Sequence, residues 1–184
     1  MSNSDNKKQI LWITRTAVFI ALLIVLQAAT APLGNSLVTG SVVNLMLIVS
    51  VMTCGMMSGL SVAIVSPIMA KFIGIGPLWS LIPFIAAGNV TLILIWHFIG
   101  NQDMGRKYAS YVVSLVCAAT IKFLVLYIGI VRIAVPVFLG LPEQQATVIS
   151  NMFSIPQFFT ALIGGIFAVL LLPRLKKAVK GGQS

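Results

Sequence analysis

The chain has 184 residues, of which 59% are hydrophobic and only 8% are charged. A soluble globular domain carries about 25% charged residues, so this composition excludes an ordinary soluble fold. The net charge of +9 does not indicate nucleic-acid binding, because the basic residues cluster at the two ends and in one internal loop. The expected solvent for most of the chain is therefore lipid.

Six apolar runs predict an all-α integral membrane protein with six transmembrane helices. A spanning helix needs roughly 20 residues, so six crossings leave no room for a soluble domain. Pro32 ends the first run and Gly74-Ile75-Gly76-Pro77 marks a turn, whereas the fifth run either extends beyond the membrane or breaks near Pro136. The predicted single domain, 1–184, has spans at about 10–31, 42–57, 59–73, 78–99, 108–138 and 148–172.

The basic residues predict that both termini are cytoplasmic, because Lys and Arg concentrate on the inner side of membrane proteins. With this orientation the outer connections 33–41 and 140–145 contain neither Lys nor Arg, and Lys71 near the outer end of the third span is the exception. The inner side then holds Lys7, Lys8 and Arg15, then Arg106 and Lys107, and finally Arg174, Lys176, Lys177 and Lys180.

Several kinds of chemistry lack the residues that they need. The acidic residues Asp5, Asp103 and Glu143 all fall outside the predicted bilayer core, and His97 is the single histidine. A metal site needs three or four ligands, and a proton relay uses Asp, Glu or His inside spans. The sequence therefore predicts no metal site, and no motif supports an enzyme. Cys54 and Cys117 lie in apolar runs and are expected to be core residues.

Two cations lie inside the fifth span. Lys122 is in its middle, and Arg132 is ten residues further along, which on an α-helix places the two about 80° and about 15 Å apart. No acidic residue within the membrane can neutralise Lys122. Its side chain either snorkels or bonds to carbonyl groups, or it lines a wet pocket for an anionic or strongly polar ligand. Arg132 either snorkels or stands at the rim of that pocket.

Amides and one indole complete the candidate binding site. Amides in lipid commonly bond between helices, but Asn89, Asn151 and Gln157 fall at the same depth as the cations, which favours ligand contact. Trp79 either belongs to an interfacial aromatic belt or stacks on a planar ligand. The predicted site consists of Lys122, Asn89, Asn151, Gln157 and Trp79, with Arg132 and Lys71 at its rim.

Small residues on the first span suggest a surface for another helix. Ala17 and Ala21 are four residues apart and share one helix face, which lets a neighbouring helix approach closely. Together with the chain length, the six spans and the stretches 14–21, 39–45 and 74–77, this Ala-x-x-x-Ala motif resembles the substrate-binding S components of energy-coupling factor (ECF) transporters, which import vitamins.

The resemblance implies a function and a set of partners. Such a protein binds a water-soluble vitamin near the outer face of a bacterial-type cytoplasmic membrane, in a pocket formed by the first outer loop and the last three helices. The Ala17 and Ala21 face then packs against a transmembrane coupling subunit that carries two ATPase subunits. ATP and Mg belong to those partners, and this chain contains no phosphate-binding Gly-x-x-x-x-Gly-Lys-Ser/Thr motif.

The vitamin follows less directly from the resemblance, because S components of one fold bind unrelated vitamins. The cations Lys122, Arg132 and Lys71 favour a carboxylate such as pantothenate. Pyridoxine or hydroxymethylpyrimidine would instead depend on the amides and on stacking by Trp79. The other functions that the residues leave open are a self-sufficient secondary transporter, a membrane enzyme and an assembly subunit without a ligand.

Overall fold

The computed structural model describes residues 3–76, 78–105 and 108–181, and within these ranges the regular structure is entirely helical. The predicted all-α class is thus confirmed. Short 3-10 turns, Ala31–Leu33 and Trp79–Leu81, precede α2 and α4. The helices are α1 Asn3–Thr30, α2 Ser36–Cys54, α3 Met56–Phe72, α4 Ile82–Gly100, α5 Ala109–Leu126, α6 Glu143–Met152 and α7 Ile155–Gly181.

Five helical segments of the described chain are long and apolar enough to cross a membrane. They are Gln9–Leu33, Ser36–Cys54, Trp79–Gly100, Ala109–Phe138 and Glu143–Ala178, whereas α3 is apolar but has 17 residues. Many large apolar side chains on these helices are exposed, as is expected of surfaces that face lipid. The chain is a multi-pass membrane protein. Arg106, Lys107 and Pro77, which entered the predictions of topology and turns, lie outside the described residues.

The connection before α2 is shorter than the sequence predicted. The loop was expected over 33–41, but α2 begins at Ser36 because Asn35 caps it, its Oδ1 accepting a hydrogen bond from the backbone N–H of Leu37 at 3.0 Å. The first turn of α2 therefore belongs to the helix and not to the loop.

The last predicted span is divided. α6 begins at Glu143, inside the expected loop 140–145, and a bend at Phe153 and Ser154 separates α6 from α7. Pro156 explains the new start, because a proline lacks the N–H group that would bond to Met152 but fits the first turn of a helix. The freed carbonyl oxygen of Met152 accepts a hydrogen bond from Gln157 Nε2 at 3.1 Å.

The fifth predicted span does not break at Pro136. The chain continues from α5 into a wider π-helical segment, Tyr127–Phe138, which ends where the N–H of Leu139 donates to Ala134 at 3.1 Å. A π-helix bonds each N–H five residues back, so it turns less per residue than an α-helix. Side chains beyond Tyr127 therefore do not follow the α-helical spacing used to relate Lys122 to Arg132.

Close contact between α2 and α7 fixes the middle of the bundle. A Cβ atom added at Gly164 would lie 2.5 Å from the carbonyl oxygen of Ser41 and 2.8 Å from Cβ of Asn44. Only glycine permits this approach, as at other tight helix crossings in membranes. The main core surrounds the contact, and a smaller cluster lies near α6, formed by Leu81, Leu126, Ile130, Ala134, Ile149 and Phe153.

Candidate functional site

A cavity of about 450 Å³ opens at the end of the bundle where α1 and α3 end and α2 and α4 begin. Its volume lies within the range of roughly 300–1,000 Å³ that is usual for small-molecule sites. The polar or charged side chains of the described chain that line it are Gln27, Asn35, Ser36, Thr39, Asn44, Ser66, Lys71, Asn89, Lys122 and Gln157.

The buried side chain of Lys122 lines this cavity. The side chain is 3% exposed, and its Nζ donates to Asn44 Oδ1 at 2.5 Å and to Asn89 Oδ1 at 2.8 Å. An ammonium group has three N–H donors, so one remains after these two bonds. Both partners are neutral, and no acidic residue is among the described residues that line the cavity. Within the described residues, the side chain of Lys122 therefore has two amide partners and no acidic partner in the cavity.

A proline in α3 orients Asn89 toward Lys122. Pro67 has no N–H, so the carbonyl oxygen of Ala63, four residues earlier, lacks its usual helical donor. Asn89 Nδ2 donates to that oxygen at 3.4 Å. With its nitrogen held by α3, the amide of Asn89 presents its oxygen to Lys122.

The amide of Asn44 is oriented by α7. Its Nδ2 donates to Thr160 Oγ1 at 3.2 Å, and Thr160 Oγ1 donates in turn to the carbonyl oxygen of Gln157 at 3.0 Å. Because the nitrogen of Asn44 is engaged, its oxygen faces the ammonium group. α2, α3, α4, α5 and α7 thus meet in one hydrogen-bonded network around Lys122.

The variant Pro67→Ala tests how Asn89 is oriented. Alanine restores an N–H that competes with Asn89 Nδ2 for the Ala63 carbonyl oxygen, so we expect ligand affinity to fall by about three- to tenfold. The thermal unfolding midpoint of the ligand-free chain should not fall, because a helix-interior proline is unfavourable by about 3 kcal/mol. Isothermal titration and thermal unfolding measure the two effects. Pro173→Ala in α7 is the control, and an equal loss of affinity there would contradict this role of Pro67.

Four of the seven residues proposed from the sequence line the cavity, namely Lys122, Asn89, Gln157 and Lys71. Gln157 reaches the wall because its Nε2 is held by the carbonyl oxygen that Pro156 frees. Lys71 is half-buried in the last turn of α3, near the rim.

The other three lie outside the cavity lining. Trp79 is 52% exposed and packs edge-on against Phe72, with 5.2 Å between ring centroids. The guanidinium of Arg132 lies 5.4 Å from the ring centroid of Tyr127, within the π-helical segment that turns it away from the α-helical position. Asn151 is exposed at the end of α6, just before the bend.

Sequence reasoning left three buried polar residues out of the site. The site predicted from the sequence includes none of Asn44, Gln27 and Ser66. Gln27 Oε1 and Ser66 Oγ are buried without a hydrogen-bond partner in the described part of the chain. In the sequence, Gln27 and Ser66 are marked only as polar residues within apolar runs.

The arrangement of groups around the cavity is suited to binding a small polar ligand. The cavity lining offers the amino groups of Lys122 and Lys71, several amides and hydroxyls, and apolar walls. Within the described ranges, no three His, Cys, Asp or Glu side chains come together as a metal site would require.

The exterior of α1 carries a separate feature. Ala17 and Ala21 are both exposed, whereas Thr16 beside them is buried and shares a hydrogen bond of 2.7 Å with Ser58 of α3. The small-residue face is therefore turned outward, where a neighbouring helix can reach it.

Comparison with known proteins identifies the family. The family described as "ECF transporter, substrate-specific component" matches residues 12–175, which is most of the chain. No curated protein and no solved structure matches it significantly. The matched region contains the network around Lys122 and the small-residue face of α1, and it supports a substrate-binding role without enzymatic activity. The chain belongs to the substrate-specific components of ECF transporters, the subunits that bind the transported substrate.

Proposed function

We propose that this subunit binds a small vitamin that carries a carboxylate, of which pantothenate is the best candidate, and delivers it to an ATP-driven ECF transporter. The observation that carries the proposal is the ammonium group of Lys122, which is buried in mid-span, bonded only to neutral amides within the described chain, and faces a cavity. A charge at this depth is unfavourable by several kcal/mol, and an anionic ligand offsets that cost.

The remaining polar groups suit the rest of pantothenate, which contains an amide and two hydroxyl groups. Asn35, Thr39 and Gln157 add donors and acceptors around the cavity. An apolar wall suits its methyl groups, and Val43, Ile85 and Leu126 contribute to such a wall.

Neutral aromatic vitamins such as pyridoxine or hydroxymethylpyrimidine are less favoured. Recognition of these rings commonly uses aromatic stacking. Of the described residues that line the cavity, Phe153 alone is aromatic, and Trp79 is packed against Phe72.

The partners that we propose follow from the family. A transmembrane coupling subunit would contact α1 at Ala17 and Ala21, and two ATPase subunits would supply the ATP and Mg chemistry. The complex would lie in a bacterial-type cytoplasmic membrane, with the cavity toward the outer face.

The test compares pantothenate with panthenol, in which a neutral hydroxymethyl group replaces the carboxylate. Isothermal titration of the detergent-purified chain should show pantothenate binding at least about a hundredfold more tightly, since breaking a buried charge pair costs about 3–5 kcal/mol. Equal affinities would contradict the role of the charge. Binding of pyridoxine in place of pantothenate would show that the amides, not Lys122, choose the ligand.

A further inference from the structure

We infer that Gln27 of α1 and Ser66 of α3 form a second recognition point of the cavity, which takes a hydroxyl or amide N–H group of the ligand whose carboxylate lies at Lys122. This inference rests on the proposed function, since it describes the other end of the same ligand. It assigns a specificity-determining role to two helices that contribute nothing directly to the ammonium group.

Both side chains are buried and unpartnered. Gln27 is 6% exposed and Ser66 is 1% exposed, and both line the cavity. Gln27 Oε1 and Ser66 Oγ have no hydrogen-bond partner in the described part of the chain. Buried polar atoms are almost always satisfied. Four buried side-chain atoms of the described chain have no partner, and of these Gln27 Oε1 and Ser66 Oγ belong to residues that line the cavity, where a ligand can complete them.

Ser66 differs from most other hydroxyl residues of these helices. A serine or threonine within a membrane helix commonly donates to the carbonyl four residues earlier, as Ser61 does to Met57 at 2.9 Å and Ser114 does to Ser110 at 2.7 Å. Ser66 Oγ makes no such bond. Its hydroxyl is therefore free to donate into the cavity as well as to accept.

The second point lies on a different wall from Lys122 but close to it. The ammonium group is held by α2, α4 and α5, whereas Gln27 and Ser66 belong to α1 and α3. Ser66 is three residues beyond Ala63, which is about 4.5 Å along the helix, and Ala63 is bonded to Asn89 of the Lys122 network.

The chemistry of the two points orients the ligand. In the orientation that the structure shows, Gln27 Oε1 accepts a hydrogen bond, so it favours a hydroxyl or N–H group over a carboxylate. Ser66 can both donate and accept. The ligand class is thus a monocarboxylate with a hydroxyl or amide N–H at its far end, and the carboxylate lies at Lys122.

The experiment compares pantothenate with the analogue in which both hydroxyl groups are replaced by hydrogen. The parent chain should bind pantothenate at least about tenfold more tightly, because the analogue leaves Gln27 and Ser66 unsatisfied. In Gln27→Leu this preference should fall below about threefold, and Ser66→Ala should reduce it partly. Ser61→Ala, on α3 but outside the cavity, should keep the full preference. The affinity ratio is taken within each variant, so partial misfolding affects both ligands alike.

The outcomes separate the two claims. An unchanged preference in both Gln27→Leu and Ser66→Ala, with tight pantothenate binding by the parent, would overturn the second recognition point and leave the proposed function standing. A parent that does not bind pantothenate would overturn both. If Gln27→Leu does not fold, Gln27→Met and Ser66→Ala give the same test.

Discussion

Lys122→Met should weaken pantothenate binding by more than about a hundredfold. Breaking a buried charge pair by removing one partner costs about 3–5 kcal/mol, and Lys122 provides the buried cation of this pair. The ligand-free chain should keep a similar thermal midpoint, because two opposing effects roughly offset. Asn44 and Asn89 each lose the hydrogen bond that Lys122 donates, which destabilises the fold by about 1–3 kcal/mol for each bond. The substitution also removes an unneutralised charge from the middle of a span, which stabilises the fold.

Arg132→Met is the matched control, because it removes a cation that lies outside the cavity lining. Arg132 belongs to the π-helical segment Tyr127–Phe138 and lies beside the ring of Tyr127. Arg132→Met should change the affinity for pantothenate by less than about threefold, because an exposed charge usually contributes little. Isothermal titration and thermal unfolding of both variants give the comparison. Unchanged binding by Lys122→Met would remove the central residue from the proposed site.

Ala21→Trp, and likewise Ala17→Trp, should abolish ATP-driven uptake and leave vitamin binding unchanged. Both alanines are exposed on α1, and a large indole there would hold a partner helix away from the backbone. The cavity-lining residue nearest in sequence to Ala21 is Gln27, about 9 Å along the helix, so the binding site should be undisturbed. Uptake into proteoliposomes that contain the coupling and ATPase subunits measures the first effect, and titration measures the second.

Ala87→Trp in α4 controls for the size of the new side chain, because Ala87 is an exposed alanine on a different helix from Ala17 and Ala21. It should leave uptake within about twofold of the parent. Normal uptake by Ala21→Trp would contradict the proposed contact. Loss of vitamin binding by Ala21→Trp would indicate a folding defect. Uptake by the parent chain in the absence of the ATPase subunits would favour a secondary transporter.

The helical membrane fold could be predicted because hydropathy and turn residues are local properties. Long apolar runs must satisfy their backbone internally, and helices achieve this within a single segment. The bend before α7 was missed because a proline in the first turn of a helix leaves little trace in hydropathy. The early start of α2 depends on the cap at Asn35, a contact of one side chain.

The site could be predicted in part because a charge or an amide in mid-span carries a high free-energy cost, so its presence indicates a partner or a function. Lys122 and Asn89 were found in this way, and the structure bonds them to each other. The position of Arg132 could not be predicted, because the sequence does not show that the helix widens after Leu126. Gln27 and Ser66 could not be placed either, since they depend on how α1 and α3 face the bundle.

The most direct test of the central claim is native mass spectrometry of the detergent-purified chain against a panel of water-soluble vitamins. We predict a one-to-one complex with pantothenate that survives in the parent and is absent in Lys122→Met. A complex with pyridoxine alone, or a well-folded chain that binds no vitamin in the panel, would contradict the account.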